Sequence, residues 1–174
     1  MTKAYDVVVL GAGPAGYVAA IRAAQLGQKT AIVEKNALGG VCLNVGCIPS
    51  KALLHNAEIA HTLNHRSKEF GFSFDNLKLD YRVAFKRSRQ VSQRLVKGVS
   101  FLMRKNEIDV IEGSGKLTGS GSMIVTYDND ESEVSAKNII VATGARPVSI
   151  PGIEEDGERI ISYKEAIMAE SLPK

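Results

Sequence analysis

Apolar residues follow two rhythms along this chain. Tyr5 to Leu10 (YDVVVL) and Thr30 to Val33 are short unbroken runs, the pattern of strands buried on both faces of a parallel sheet. Between them, residues 14–26 carry helical spacing, and Gly27 stands where a helix would stop. Ser50 to about Asn64 repeats the helical spacing with Ala52, Leu53, Ala57, Ala60 and Leu63. Asp80 to about Asn106 predicts one long helix capped by Asp80 or Asp75, with Val91, Leu95, Val99 and Leu102 as its buried stripe. Phe70 to Leu77 reads as a connector with a short extended piece. Strands return at Ile108–Glu112 and at Asn138–Val141. Met123–Tyr127 and Glu133–Ser135 flank the turn-rich Asp128–Glu131, which predicts an inserted antiparallel hairpin. Pro147, Pro151 and Gly152 mark an exit into extended chain, followed by a short helix near Tyr163–Glu170 and a linker-like Ser171–Lys174.

Strand, helix and strand in this order define an α/β unit, and the turn inside it narrows the reading. Leu10 runs into Gly11, Ala12, Gly13, Pro14, Ala15 and Gly16, a Gly-x-Gly-x-x-Gly turn that opens a helix. The first glycine permits the tight turn, the second lets a pyrophosphate approach the backbone, and the third lets helix and strand pack closely. Glu34 closes the next strand about 20 residues later, where an acid accepts hydrogen bonds from ribose hydroxyls. A strand-to-helix turn without a ligand explains the glycines but not the acid. Dinucleotide binding on a Rossmann-like domain is the expectation, with a parallel sheet flanked by helices and an inserted antiparallel hairpin or meander.

The remaining chemistry lies in Gly39 to Lys51 (GGVCLNVGCIPSK), which holds Cys42 and Cys47, the only cysteines of the 174 residues. On an ideal helix, positions i and i+5 are about 8.6 Å apart, and a disulfide needs Cα atoms within roughly 4.4 to 6.8 Å. The pair bridges only if the backbone bends, and Gly46 permits a bend. Pro49 suits a first helical turn. Cys47 is then expected at or just before a helix N-terminus, where dipole and free amides stabilise a thiolate. Half of a metal site, two unrelated buried thiols and a purely structural bridge are the alternatives. No second cysteine pair supports the first, the flanking glycines and Pro49 speak against the second, and nothing suggests secretion for the third.

Composition changes little. With 44% hydrophobic residues and a net charge of +3, the chain reads as one soluble globular domain with no membrane span, and charge alone does not imply nucleic acid. An apolar strand almost directly after Met1 leaves no room for a leader, so the cytoplasm is expected, where disulfides are usually catalytic. Arg82 to Lys105 contains eight Lys or Arg and no acid, without aromatic interleaving, and reads as a solvated face. His61 and His65 are four apart, yet no third ligand is evident, so no metal is expected.

Taken together, GAGPAG, Glu34, GGVCLNVGCIPSK and IIVATGARP resemble the flavin-dependent pyridine nucleotide-disulfide oxidoreductases over nearly the whole chain. GCIPSK is similar to the lipoamide branch, with mercuric and glutathione reductases close by, and Val41 stands where many relatives carry Thr. The resemblance implies FAD held by Gly11, Gly13, Pro14, Ala15 and Gly16 at its pyrophosphate and by Glu34 and Lys35 at its ribose. It implies Gly40, Val41, Cys42, Gly46, Cys47 and Lys51 along the cofactor, Gly115 at the adenine, and Ala142, Thr143 and Gly144 as a second contact. Cys42 would be the interchange thiol and Cys47 the sulfur facing the flavin. Dihydrolipoamide on the lipoyl domain of 2-oxoacid dehydrogenase complexes is the implied reductant and NAD the final acceptor, in a homodimer whose later domains bind NAD and supply a His-Glu base. Residues 1–150 would then be the FAD-binding domain, with the dithiol helix and the helix at 80–106, and 151–174 a linker toward an NAD-binding domain. Alone, this stretch is expected to be inactive. The competing readings are a related disulfide or mercuric reductase, and a flavin-binding redox module without catalysis of its own.

Overall fold

A computed structural model describes residues 3–173. Lys174, the last residue of the expected linker, lies outside the described residues, as do Met1 and Thr2. The chain divides into two compact units, Met1–Asn44 with Arg94–Arg146, and Val45–Gln93 with Pro147–Lys174.

The first unit is built on β1 (Lys3–Leu10), whose Val8 and Val9 are wholly buried because they point to opposite faces of a covered strand. Helix α1 (Pro14–Gln25) follows, then β2 (Thr30–Glu34). Strands β3 (Asp109–Glu112), β4 (Ser114–Gly119), β5 (Ser122–Tyr127) and β6 (Asp130–Val141) complete one six-stranded sheet in the order β3-β2-β1-β6-β5-β4. β1 pairs parallel with both β2 and β6, β2 pairs parallel with β3, and β4-β5-β6 run antiparallel. A buried core cluster gathers Tyr5, Val8, Ala31, Val33, Met123, Val125 and Val134.

The expected α/β domain with an antiparallel insertion is therefore present, and three details differ. Of the hairpin or meander expected, the insertion is the meander, and its additional strand, β4, covers Ser114–Gly119, where no strand was expected. The pieces expected at Glu133–Ser135 and Asn138–Val141 are one continuous twelve-residue strand, β6. Its first half pairs with β5 and its length along β1 bridges hairpin and parallel sheet.

Helix α4 (Tyr81–Lys105) carries the third difference. Its start is as expected, with Asp80 accepting a hydrogen bond from the Arg82 N–H at 2.9 Å. Its buried face, however, is Ala84, Phe85, Ser88, Ser92, Val99 and Met103. Of the expected stripe, Val99 is buried, Val91 is half-buried, and Leu95 and Leu102 are 40% and 37% exposed. The helix offers two apolar stripes, and the one that carries Ala84, Ser88 and Ser92 is the buried one. Ser88 is tolerated there because its hydroxyl donates to the Phe85 carbonyl at 2.7 Å.

In the second unit, α3 (Cys47–His65) is followed by a 3₁₀ turn at Ser67–Phe70 in the expected connector, and α5 (Tyr163–Met168) is capped by Ser162 and Glu165 in a reciprocal box. No helix among the described residues is long and apolar enough to cross a membrane.

Candidate functional site

Parallel pairing places the ends of four strands, β1, β2, β3 and β6, at one edge. Leu10 lies opposite both Val33 and Val141, and Glu34 lies opposite Glu112. The loops that leave these residues are tied together by backbone. The Gly11 N–H donates to the Val33 carbonyl at 2.8 Å, Ala142 to Leu10 at 2.8 Å, and Gly113 to Glu34 at 3.0 Å. Carboxyl ends of parallel strands are where open α/β sheets bind ligands.

A cavity of about 150 Å³ opens at this edge, lined in part by Gly11, Glu34, Lys35, Gly115 and Thr143. Five residues singled out from separate stretches of sequence thus share one groove. Leu10, Val33, Gly113 and Ser114 complete its wall and were not singled out as site residues. Leu10 ends β1 and Val33 stands one residue before the end of β2, and spacing along the chain does not show that they line one groove.

The glycines of the turn do different work. Gly11 has φ +101°, and a Cβ there would stand 2.4 Å from the Ala142 carbonyl oxygen. A Cβ on Gly16 would stand 1.8 Å from the Gly11 carbonyl oxygen. Both are required by the fold, and Ala142 earns its place as the backbone beneath Gly11. Gly13 is the exception. Its φ of −68° suits any residue, and a Cβ there would meet nothing within 4 Å. Gly13 is the N-cap of α1, has no side-chain cap, and no acid sits in the first turn that includes Pro14, Ala15 and Gly16. An uncapped helix start beside open space is a natural anion site.

Glu34 faces the same turn. Its carboxylate accepts the Ala12 N–H at 2.7 Å and the Asn36 N–H at 2.9 Å. A carboxylate has about four acceptor positions, so these two bonds orient it and leave capacity for hydroxyl donors. Gly144, beyond Thr143, has φ +75° and open space where a side chain would be.

Gly40 opens the short helix α2 (Gly40–Val45) at φ +56°, and a Cβ there would stand 2.7 Å from the Gly13 Cα. The Gly39 N–H donates to the Ala12 carbonyl at 2.8 Å. The start of the cysteine segment is therefore fastened to the glycine turn. Val41 and Cys42 follow on α2, exposed and half-buried respectively.

Gly46, with φ −139° and ψ −116°, separates α2 from α3. The expected break is there, without the positive φ that glycine alone would favour. Cys47 is the first residue of α3, as expected, and is exposed. Pro49 is the third residue, buried and within the first helical turn, as expected. Lys51 lies exposed on the next turn. Of the histidines on α3, His55 approaches Glu58 at 3.7 Å and the His61 and His65 rings lie 4.7 Å apart. Among the described residues no group of three or more metal-binding side chains forms.

The sheet order, the uncapped turn at Gly13 and the groove at the carboxyl edge define a doubly wound α/β domain of the kind that holds a dinucleotide. Comparison with known proteins narrows this further. A family model described as pyridine nucleotide-disulphide oxidoreductase matches residues 5–174, and the chain belongs to that family. It is 49% identical over 190 aligned positions to a dihydrolipoyl dehydrogenase of Rhizobium etli, covering 100% of this chain and 39% of the relative. It is 51% identical over 173 positions to one from Mycobacterium leprae, covering 97% and 37%. Its fold is similar to a crystal structure of LpdA from Mycobacterium tuberculosis, with a TM-score of 0.85 and 28% identity, covering 99% of this chain and 38% of the other. A copper(II) complex of RclA from Escherichia coli, an HOCl-induced flavoprotein disulfide reductase, matches with a TM-score of 0.72 and 27% identity over 86% of this chain and 31% of that one. The chain thus spans under two fifths of the relatives it matches.

Proposed function

We propose that these residues are the FAD-binding and redox-dithiol region of a dihydrolipoyl dehydrogenase, which oxidises dihydrolipoamide and passes the electrons to NAD. The observation that carries the cofactor reading is Gly13, a glycine that neither backbone conformation nor packing requires, beside an uncapped helix start. Relatives of that name at about half identity along the chain support the lipoamide substrate.

Bound FAD would supply a two-electron acceptor between thiols and nicotinamide. The backbone from Gly11 through Gly16 would hold the pyrophosphate, and Glu34, kept in place by Ala12 and Asn36, would accept the ribose hydroxyls beside Lys35. Gly115 would border the adenine, and Ala142, Thr143 and Gly144 a second stretch of the cofactor. Gly40, Val41, Gly46 and Lys51 would line the ring end.

In the oxidised state Cys42 and Cys47 would form a disulfide. A thiolate of dihydrolipoamide attacks the Cys42 sulfur, and the sulfur–sulfur bond breaks toward Cys47. The second substrate thiol, on losing its proton, displaces Cys42 and closes the cyclic lipoamide disulfide. The substrate loses two electrons, and the protein disulfide gains them as two thiols. Cys47, at the first position of α3, is the leaving sulfur.

The lipoyl domain of a 2-oxoacid dehydrogenase complex is the partner in this reading, within a cytoplasmic homodimer. The family resemblance assigns the NAD site and the His-Glu base to later domains. The 174 residues assayed alone are therefore expected to reduce no NAD. The test is the visible spectrum of the FAD-loaded protein before and after dihydrolipoamide. A long-wavelength shoulder on reduction, absent from Cys47→Ser, is expected. A flavin spectrum indifferent to dithiol would overturn the redox role and leave a flavin-binding module. Assay of the full-length enzyme with dihydrolipoamide against glutathione disulfide and mercuric ion tests the substrate.

A further inference from the structure

The geometry points to Asn44 as the positioning residue for Cys42, through a side-chain tie that folds α2 back onto its own entry. The Asn44 Nδ2 group donates to the Gly40 carbonyl at 2.9 Å and to the Leu38 carbonyl at 3.1 Å. These two acceptors stand on either side of Gly39. Cys42 lies midway between donor and first acceptor in sequence, two residues from each.

The need for such a tie follows from the backbone. Gly39 and Gly40 are consecutive residues with φ of +87° and +56°. Such a pair is available to many alternative conformations, so ordering it has a high entropic cost. α2 has only six residues, and an isolated helix of that length is not stable in water. What holds the pair from the sheet side is the Gly39 N–H on the Ala12 carbonyl and the close approach of Gly40 to Gly13. From the helix side it is held by the Asn44 amide and, at 3.4 Å, by the Leu43 N–H on the Gly39 carbonyl. An amide is suited to the task, because one NH₂ group supplies two donors to two carbonyls. Asp at this position would turn a carboxylate on both oxygens, and Ala or Leu would offer no donor. The tie therefore fixes α2, and the sulfur it carries, against the glycine turn.

This inference deepens the proposed redox role of Cys42, and its test needs neither lipoamide nor NAD. Asn44→Ala and Asn44→Asp are compared with the unaltered chain by amide hydrogen exchange and by iodoacetamide alkylation with peptide mapping of Cys42 and Cys47. Each lost hydrogen bond changes a local equilibrium by roughly fivefold, so exchange at residues 39–43 is expected to rise about 25-fold in the alanine variant. Cys42 alkylation should rise in parallel, further still for Asn44→Asp, while Cys47 stays within about twofold. Unchanged exchange and unchanged Cys42 reactivity in a folded variant would overturn the proposal. Equal acceleration of both cysteines would also overturn it, because a general loss of stability moves them together. If Asn44→Ala does not fold, Asn44→Ser, which keeps one donor, is read by the same ratio. A Cys42 shift without any flavin response to dithiol would uphold the tie and count against the redox reading.

Discussion

At the scale of single residues, the glycine turn separates what the fold needs from what a ligand needs. Gly11→Ala is expected to destabilise the chain by roughly 1–3 kcal/mol or more, since the residue has positive φ and its Cβ would press on the Ala142 carbonyl. Gly13→Ala is expected to cost at most about 1 kcal/mol, the usual difference at an N-cap, yet to weaken FAD retention sharply. Thermal denaturation paired with flavin titration checks both halves. Tyr5 gives a pH test. It is buried, and its hydroxyl donates to Asp109 at 2.7 Å. Burial first, and Asp109 second, push its ionisation far above the ordinary tyrosine range. The neutral phenol therefore stabilises the fold below pH of about 10, where the unfolded tyrosine begins to ionise, and that contribution is lost as pH rises beyond it. Tyr5→Phe should cost about 1 kcal/mol at neutral pH and should show a flatter stability profile above pH of about 10 in urea titrations.

At the scale of elements, two sites show where pattern reading succeeds and where it stops. The hairpin tip is legible because Asp and Asn tolerate left-handed backbone. Asp128 and Asn129 have φ of +46° and +72°, the pair of positive angles of a two-residue I′ turn. Asn129→Val is expected to destabilise by about 1–2 kcal/mol in chemical denaturation. Helix α4 is legible as a helix and misleading as to its buried face. Met103→Ala, at 1% exposure, should cost roughly 2–5 kcal/mol, while Leu95→Ala, at 40% exposure, should stay within about 0.5 kcal/mol. Equal losses at both positions would restore the stripe that spacing alone suggests. β4 escaped the reading because its glycine and lysine lack the apolar alternation of a half-buried strand.

At the scale of the whole molecule, the groove is the product of register. Gly11, Glu34, Gly115 and Thr143 are spread over more than a hundred positions, and three parallel pairings bring them to one edge. If that edge binds FAD, the ligand should stabilise the fold by mass action. At a hundred times Kd the gain is about 2.7 kcal/mol, or roughly 5 to 10 °C for a chain of this size. Differential scanning calorimetry with FAD measures it, and a Tm indifferent to FAD would count against the site. The placement of Glu34 adds a point that motif reading lacked. The acid is bound by the backbone of the turn it faces, so its role begins with shaping the turn before any ribose arrives.

The local chemistry of this protein was determined by its sequence. Unbroken apolar runs specify buried strands, Gly11 and Gly16 specify a turn that a side chain at either position would block, and Cys47 follows a helix-breaking glycine. These are short-range effects of sterics and hydrogen bonding, carried by neighbours in the chain. Which face of α4 is buried, that β6 is one strand, and that Leu10 and Val33 wall a groove were decided only by the tertiary structure. Each depends on groups that meet after the sheet has chosen its order and register, and spacing along a chain does not encode what lies across it.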